Sequence, residues 1–252
     1  MQPMLTKRSR FNVIAHPHRC ASQLVSPCNT CEVRDFAACA PLNPDEQKRL
    51  VAIMTTIEVA PHGAIFDEAD PADYVFNVTG GAVKIYKLLP DGRRQITGFL
   101  LPGDFLGLTH KDAYAYSAEA LVTTKLCRFP RWKLEGLLDE MPKLEQRLLG
   151  MASHELAAAQ DQMMLLGRKS ACERVVSFLL MMSNAAIRRG KPGDPVALPM
   201  NRNDIADYLG LTIETVSRSF TQLRKQKLIE LLDEKQVRLL KPEALREIAA
   251  GF

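Results

Sequence analysis

The chain has 252 residues, which suits one large domain or two modest ones, and its 46% apolar and 25% charged residues are ordinary globular proportions that exclude wholesale disorder. No apolar run approaches the length of a membrane span, which excludes an integral membrane protein. The net charge of +4 is unevenly placed: residues 168–252 carry 15 Lys and Arg against 10 Asp and Glu, while the remainder is close to neutral. A basic end joined to a near-neutral one suggests a polyanion-binding part and a control part.

Met1–Pro41 is rich in Cys, Pro and His and holds four of the six cysteines. Lys7, Arg8 and Arg10 are not followed by an apolar core, so this stretch does not read as a secretion signal and a cytoplasmic location is expected. Asp45–Thr55 reads as a short helix with Leu50, Ile53 and Met54 on one side. Short apolar runs follow at Ala64–Phe66, Tyr74–Val78, Ala82–Leu88, Gln95–Leu101, Ala115–Leu121 and Thr124–Phe129. Turn residues separate most of them, and Asp91-Gly92 between two alternating segments is a hairpin signal. Many short strands at this spacing predict an antiparallel sandwich or barrel.

Near Pro130 the period changes, and a helical pattern dominates from Pro142 to Gly167. Leu149, Ala152, Leu156, Ala159, Met163 and Leu166 recur at alternating intervals of three and four, an a/d seam without a charge in it. A core helix would give a similar stripe, but a helix packed on its own sheet shows a broader apolar face, so the seam favours a parallel dimer. A second helix, Ser170–Arg188, leads through Gly190-Lys-Pro-Gly193 to the last region.

There Asp204–Leu209 reads as a short helix, with Ile205, Ala206 and Leu209 inward and Gly210 able to end it. Thr212 is an N-cap candidate for the next helix. Ile213, Val216, Phe220 and Leu223 form its expected inner stripe. Glu214, Ser217, Arg218, Thr221 and Lys225 form the polar stripe opposite. Two short helices about a glycine turn make a helix-turn-helix. Arg218 can donate two bonds to guanine O6 and N7, Glu214 can accept from cytosine N4, and Ser217 is small enough to approach a base closely. Thr212, Glu214, Ser217, Arg218 and Thr221 are therefore the candidate contacts to double-stranded DNA. Leu228–Leu232 and Gln236–Leu240 read as a hairpin about Asp233-Glu-Lys, a wing beside the motif. A solvated helical hairpin is the plainer alternative; the tight turn, polar stripe and basic excess weigh against it.

Cysteines clustered in a cytoplasmic chain are more often metal ligands or redox thiols than disulfides. Cys28-x2-Cys31 can bring two thiolates onto one centre, and Cys39 can add a third. Cys20 or the distant Cys127 could supply the fourth; the local set with Cys20 would suit structural zinc. Cys172, beside Val175 and Val176, reads as packed core, and His16 and His18 as solvated.

The chain resembles the CRP/FNR family of bacterial transcription regulators, and the FNR branch within it. The resemblance rests on the strand pattern, the long helix from Pro142, Ala171-Cys-Glu-Arg-Val-Val and Leu209-Gly-Leu-Thr-Ile-Glu-Thr-Val-Ser-Arg218. It implies an α+β chain: a cysteine-rich arm (1–41), an antiparallel β-roll like that of cyclic-nucleotide-binding domains (42–137), a dimerisation helix (138–167) and a winged helix-turn-helix (168–252). It implies a [4Fe-4S] cluster on Cys28, Cys31, Cys39 and Cys127, with Cys20 a spare thiol, and an oxygen-responsive homodimer on an inverted repeat like TTGAT-N4-ATCAA.

The cyclic-nucleotide members carry a Gly-Glu pair followed by an arginine in the roll. Pro102–Ser117 has no such cassette, so a buried phosphate would go unpaired and no cyclic nucleotide is expected. The FNR pattern often places an acidic residue on the dimer helix near Ala159; alanine there implies a tighter dimer. RNA polymerase is a further implied partner, with Pro90–Arg94 the candidate surface, although Arg93 departs from the acidic character of some relatives. A redox enzyme or electron carrier would leave the helix-turn-helix without a role and would call for a Gly-rich nucleotide loop, which is absent. A zinc-stabilised regulator and a thiol switch remain the rivals.

Overall fold

The computed structural model describes residues 12–14, 28, 30–109 and 111–251. Cys20, His16 and His18 lie outside them. Two compact units are formed, one holding residues up to Tyr86 with Phe99–Met151, the other Lys87–Gly98 with Ala152 onward.

In the first unit, β1 (Asn12–Ile14) and α1 (Pro44–Ile53) precede the strands β2 (Thr55–Val59), β3 (Ala64–Phe66), β4 (Tyr74–Gly80), β5 (Val83–Leu88) and β6 (Arg94–Leu100), whose segment Lys87–Gly98 counts with the second unit, and then β7 (Phe105–Leu106), β8 (Ser117–Ala120) and β9 (Thr124–Pro130). Then come α2 (Arg131–Leu138) and the start of α3 (Pro142–Arg168). The strands form two sheets, β1-β2-β9-β4-β7 and β3-β8-β5-β6, with antiparallel pairs throughout the described registers. This is the expected roll, although α1 ends before Thr55. The apolar spacing of Leu50, Ile53 and Met54 runs on into Thr55-Thr56-Ile57, but these β-branched residues belong to β2.

Register explains how the first sheet is buried on both faces. Ile57, Leu126 and Val78 are cross-strand partners and face the roll interior with Phe66, Phe76, Val83 and Leu106. Thr56, Cys127 and Asn77 are partners one residue along and face the other way, since side chains alternate. On that outer face, α1, α2 and the first turns of α3 pack Leu50, Leu134, Leu137, Leu144 and Leu148 against Val75, Phe105 and Phe129. A sheet covered twice reads as a continuous buried run, here Val75-Phe76-Asn77-Val78.

The second unit contains the rest of α3, α4 (Ala171–Arg188), β10 (Val196–Ala197), α5 (Arg202–Leu209), α6 (Ile213–Lys225), β11 (Ile229–Leu231), β12 (Gln236–Leu239) and α7 (Pro242–Ala250). Ser170 caps α4 through a capping box with Glu173. Val175, Val176, Phe178, Leu179 and Met182 of α4 form the centre, with Ile205, Leu209, Val216, Phe220, Leu223 and Leu245 also buried. The wing is a three-stranded sheet in the order β10-β12-β11. Cys172 is half-buried rather than fully packed, because only part of its turn of α4 faces the centre.

Of the α3 seam, Leu149, Ala152, Leu156, Ala159 and Met163 are exposed. Leu166 is half-buried; it lies where a side chain on Gly210 would come within 3.2 Å of its Cδ2. Leu165, next to the seam, is the buried member of this stretch at 8% exposure. No helix among the described residues is long and apolar enough to cross a membrane.

Candidate functional site

Residues 31–42 fold as consecutive tight turns, with amide hydrogen bonds from Arg34 to the carbonyl of Cys31, from Ala37 to Val33 and from Leu42 to Cys39. Val33, Ala37 and Ala38 point inward, and Asn43 then caps α1. The loop is held from two sides. Arg147 on α3 donates to the carbonyls of Phe36 and Ala37. Phe36 rests where Gly103, at φ +100°, has no side chain; a Cβ there would lie 2.3 Å from the Phe36 ring. Gly103→Ala should therefore cost about 2 kcal/mol, from left-handed strain and overlap together. A thermal midpoint equal to that of the parent would contradict this.

The turns bring Cys28, Cys31 and Cys39 onto the wall of one cavity, and Cys127 of β9 lies on the same wall. Gln47, Leu50, Asn77, Phe105, Phe129, Leu144 and Leu148 complete much of the lining of this cavity, which is partly open to solvent. All four predicted ligand positions thus meet, although Cys127 is 88 residues from Cys39 in sequence. Burial, then the neighbouring Cys28 and Cys31, push the Cys39 thiol up to about 11. Burial, then Cys28, Cys31 and Cys39, push Cys127 up further. Thiols crowded in this way ionise together only around a cationic core. Among the described residues, no group of three or more His, Cys, Asp and Glu has the geometry of a single-ion site.

Three polar atoms near the thiols lack a hydrogen-bond partner: Gln47 Nε2, Thr56 Oγ1 and Asn77 Oδ1. Neither Gln47 nor Asn77 stood out in the sequence. Both left a trace, Gln47 by lying three residues before buried Leu50 on one helix face and Asn77 as a polar residue inside an apolar strand.

In the second unit the helix-turn-helix is built as its residues predict. Asn201 and Asp204 form a capping box that starts α5, and Gly210 ends it in the left-handed region at φ 61°. Thr212 caps α6, its hydroxyl accepting from the Thr215 amide at 3.2 Å. Val216, Phe220 and Leu223 face inward as expected. Ile213 does not: it is 38% exposed, and Ser219 is buried instead, its hydroxyl donating to the Thr215 carbonyl at 3.0 Å. The first residue of α6 lies beyond the edge of the core, so its apolar character is spent on the surface.

Glu214, Ser217, Arg218, Thr221 and Lys225 are exposed together, and Ser217, Arg218, Thr221 and Lys225 share one open concave surface. The amide at the start of α6, then the Thr212 hydroxyl and Arg218, hold Glu214 below the usual carboxylate range, which keeps it an acceptor. Opposite, α5 is anchored through several polar contacts. Arg94 Nε donates to Asp207 at 2.9 Å and its Nη2 to Asp204 at 3.2 Å. Gln162 Nε2 donates to the Tyr208 carbonyl at 2.7 Å, and Arg174 bridges the carbonyls of Leu209 and Leu166. Arg94 is thus engaged within its own chain; of the Pro90–Arg94 tip, residues 90–92 are exposed, and Arg93 pairs locally with Asp91 at 2.8 Å.

Residues 56–141 match the family described as "Cyclic nucleotide-binding domain" and residues 173–248 the "Crp-like helix-turn-helix domain". The chain is 42% identical over 225 residues to the transcriptional activatory protein AadR of Rhodopseudomonas palustris, covering 89% of this chain and 94% of that protein. It is 35% identical over 214 residues to the transcriptional activator protein FnrL of Cereibacter sphaeroides, covering 83% and 86%. The solved structure of FixK2 from Bradyrhizobium japonicum superposes with a TM-score of 0.73 at 40% identity, over 78% of this chain and 97% of that one. With a β-roll, a long helix and a winged helix-turn-helix in that order, and regulators rather than enzymes as its relatives, the chain belongs to the CRP/FNR family of transcription regulators, on its FNR branch.

Proposed function

We propose that Cys28, Cys31, Cys39 and Cys127 hold a [4Fe-4S] cluster, and that its state governs how two copies of the chain pair and occupy an inverted DNA repeat. The observation that carries this reading is the convergence of four thiols, from a loop and a distant strand, on one cavity whose wall includes the dimer helix. The donor set fits: thiolate is the ligand such clusters take.

When bound, the cluster supplies an oxygen-labile, redox-active centre. The chain supplies the transmission. Leu144 and Leu148 line the cavity from α3, and Arg147 of the same turns grips the cysteine loop. Loop position and the start of the dimer helix are therefore fixed together. Without a cluster, no bond fastens the loop to β9, so the loop is freer to shift, and the α3 packing with it. Clear switching needs about 5.5 kcal/mol of bias between paired and unpaired states.

Paired through Leu149, Ala152, Leu156, Ala159, Met163 and Leu166, two chains present two recognition helices about one DNA turn apart, suited to a TTGAT-N4-ATCAA-like site. Arg218 and Glu214 read a G·C pair in each half and Ser217 a neighbouring thymine. Arg218→Ala should cost about 1–3 kcal/mol and relax preference at that pair. Fluorescence anisotropy on duplexes varied at that position measures it, and an equal loss on every sequence would contradict base reading.

Activation through RNA polymerase, with the exposed hairpin tip a contact, fits the relatives' names, and a cytoplasmic site of action fits the thiol chemistry. A cyclic nucleotide has no place in this scheme: buried Lys84 is paired with Glu119 at 2.9 Å, and Phe66, Phe76 and Tyr114 stack in the roll interior. Ala159 puts no charge into the seam, so the cluster biases a dimer that is already tight: cluster-free protein should still elute as a dimer at micromolar concentration in size-exclusion chromatography and dissociate only at the lower concentrations at which DNA is bound; a clean monomer at micromolar concentration would contradict the assignment of Ala159. Iron and acid-labile sulfide analysis of protein purified without air tests the cluster itself, and stoichiometric zinc in their place would overturn it.

A further inference from the structure

Gln47 lies on the inward face of α1, three residues before Leu50, and its side chain enters the cavity of the four thiols. Its Nε2 is buried and has no hydrogen-bond partner. Much of the surrounding wall is apolar: Leu50, Val51, Phe105, Phe129, Leu144 and Leu148. A donor left unpaired in such a place is destabilising, and an apolar side chain would remove that cost. An amide N–H at this position calls for an acceptor inside the cavity. A protonated thiol is a weak acceptor. The sulfurs of an anionic iron–sulfur core are far stronger ones, since charge on the acceptor roughly doubles the bond.

We propose that Gln47 donates its amide N–H to a sulfur of the cluster and thereby tunes the cluster's redox potential and lifetime in air. It is a positioning residue and not a ligand. The proposal rests on the cluster reading above. The sign follows from charge. Reduction adds an electron whose density falls partly on sulfur, so the N–H···S bond stabilises the reduced form more than the oxidised one. Removing it lowers the potential and makes electron loss to dioxygen easier.

The test uses the full chain, reconstituted without air from ferrous iron and sulfide, as wild type, Gln47→Met, Gln47→Leu and Gln47→His. Methionine and leucine fill the space without a donor; histidine restores an N–H at similar reach. Iron per chain, the midpoint potential of the one-electron couple and the rate of visible bleaching at fixed dissolved oxygen are measured. The expected result is wild-type iron content in the apolar variants, a more negative potential and bleaching about fivefold faster, the factor one ordinary hydrogen bond supplies. Gln47→His should move both readouts back towards wild type.

Apolar variants with full iron and unchanged potential and bleaching overturn the proposal and leave the cluster reading standing. Wild type devoid of iron and sulfide overturns both. If the apolar variants lose iron, retention by Gln47→His supports the donor role, and loss in all three assigns Gln47 to packing and overturns it.

Discussion

Cys127→Ser should yield a folded protein that retains almost no iron when purified without air and no longer occupies an inverted-repeat promoter. Cys127 sits in the middle of β9 with Thr56 and Asn77 as its cross-strand partners, so the strand itself survives the change. Serine offers a hard, poorly ionised oxygen where a soft thiolate is needed. Losing an outer-shell partner of a metal site already costs about 10–100-fold in affinity, and losing a direct ligand costs more. Cys20→Ser is the control and should keep its iron. Iron retained in Cys127→Ser but lost in Cys20→Ser would replace the strand-tethered centre with one confined to the arm. Cluster state would then have no route to α3 through β9.

Leu156→Glu should have a comparable effect on DNA binding by a different route. Leu156 is 61% exposed in the single chain, so the fold does not depend on it. In a parallel pair it meets its own copy across the two-fold axis. Each leucine forfeits about 1.5–3 kcal/mol of burial, and two carboxylates then face each other out of water. The dimer dissociation constant should rise by at least about 100-fold, with operator affinity falling alongside and the thermal midpoint of the subunit nearly unchanged. Sedimentation equilibrium and melting curves separate the two. A dimer that persists at micromolar concentration would show that another surface makes the interface. Leu165→Glu gives the contrast: that side chain is 8% exposed, and its replacement should unfold the subunit.

What could be read from the chain follows how local each feature is. The helix-turn-helix is written in about twenty adjacent residues: Gly210 must accept a left-handed backbone, Thr212 must cap, and Val216, Phe220 and Leu223 must pack. Ile213 misled because periodicity does not say where the core ends. The expected first helix runs one residue into β2, and the strand itself goes unannounced, because no glycine or proline separates the two. β7, two residues long, carries too little pattern to be seen. Three of the four thiols announce themselves by spacing. Cys127 is preferred to Cys20 only through a family resemblance, since its position opposite the loop depends on the register of β2, β9 and β4. The roles of Gln47, Asn77, Arg147 and Arg94 escape the sequence for the same reason: each matters because of a surface brought to it from far along the chain.

The most direct test measures a single sample twice. Protein purified without air is assayed for iron, sulfide and occupancy of a TTGAT-N4-ATCAA duplex, then exposed to air and assayed again. The account predicts a brown protein with about four iron and four sulfide per chain, tight binding at first, and weaker binding as the colour fades. A colourless sample, or one whose grip on the duplex is the same after bleaching, would contradict it.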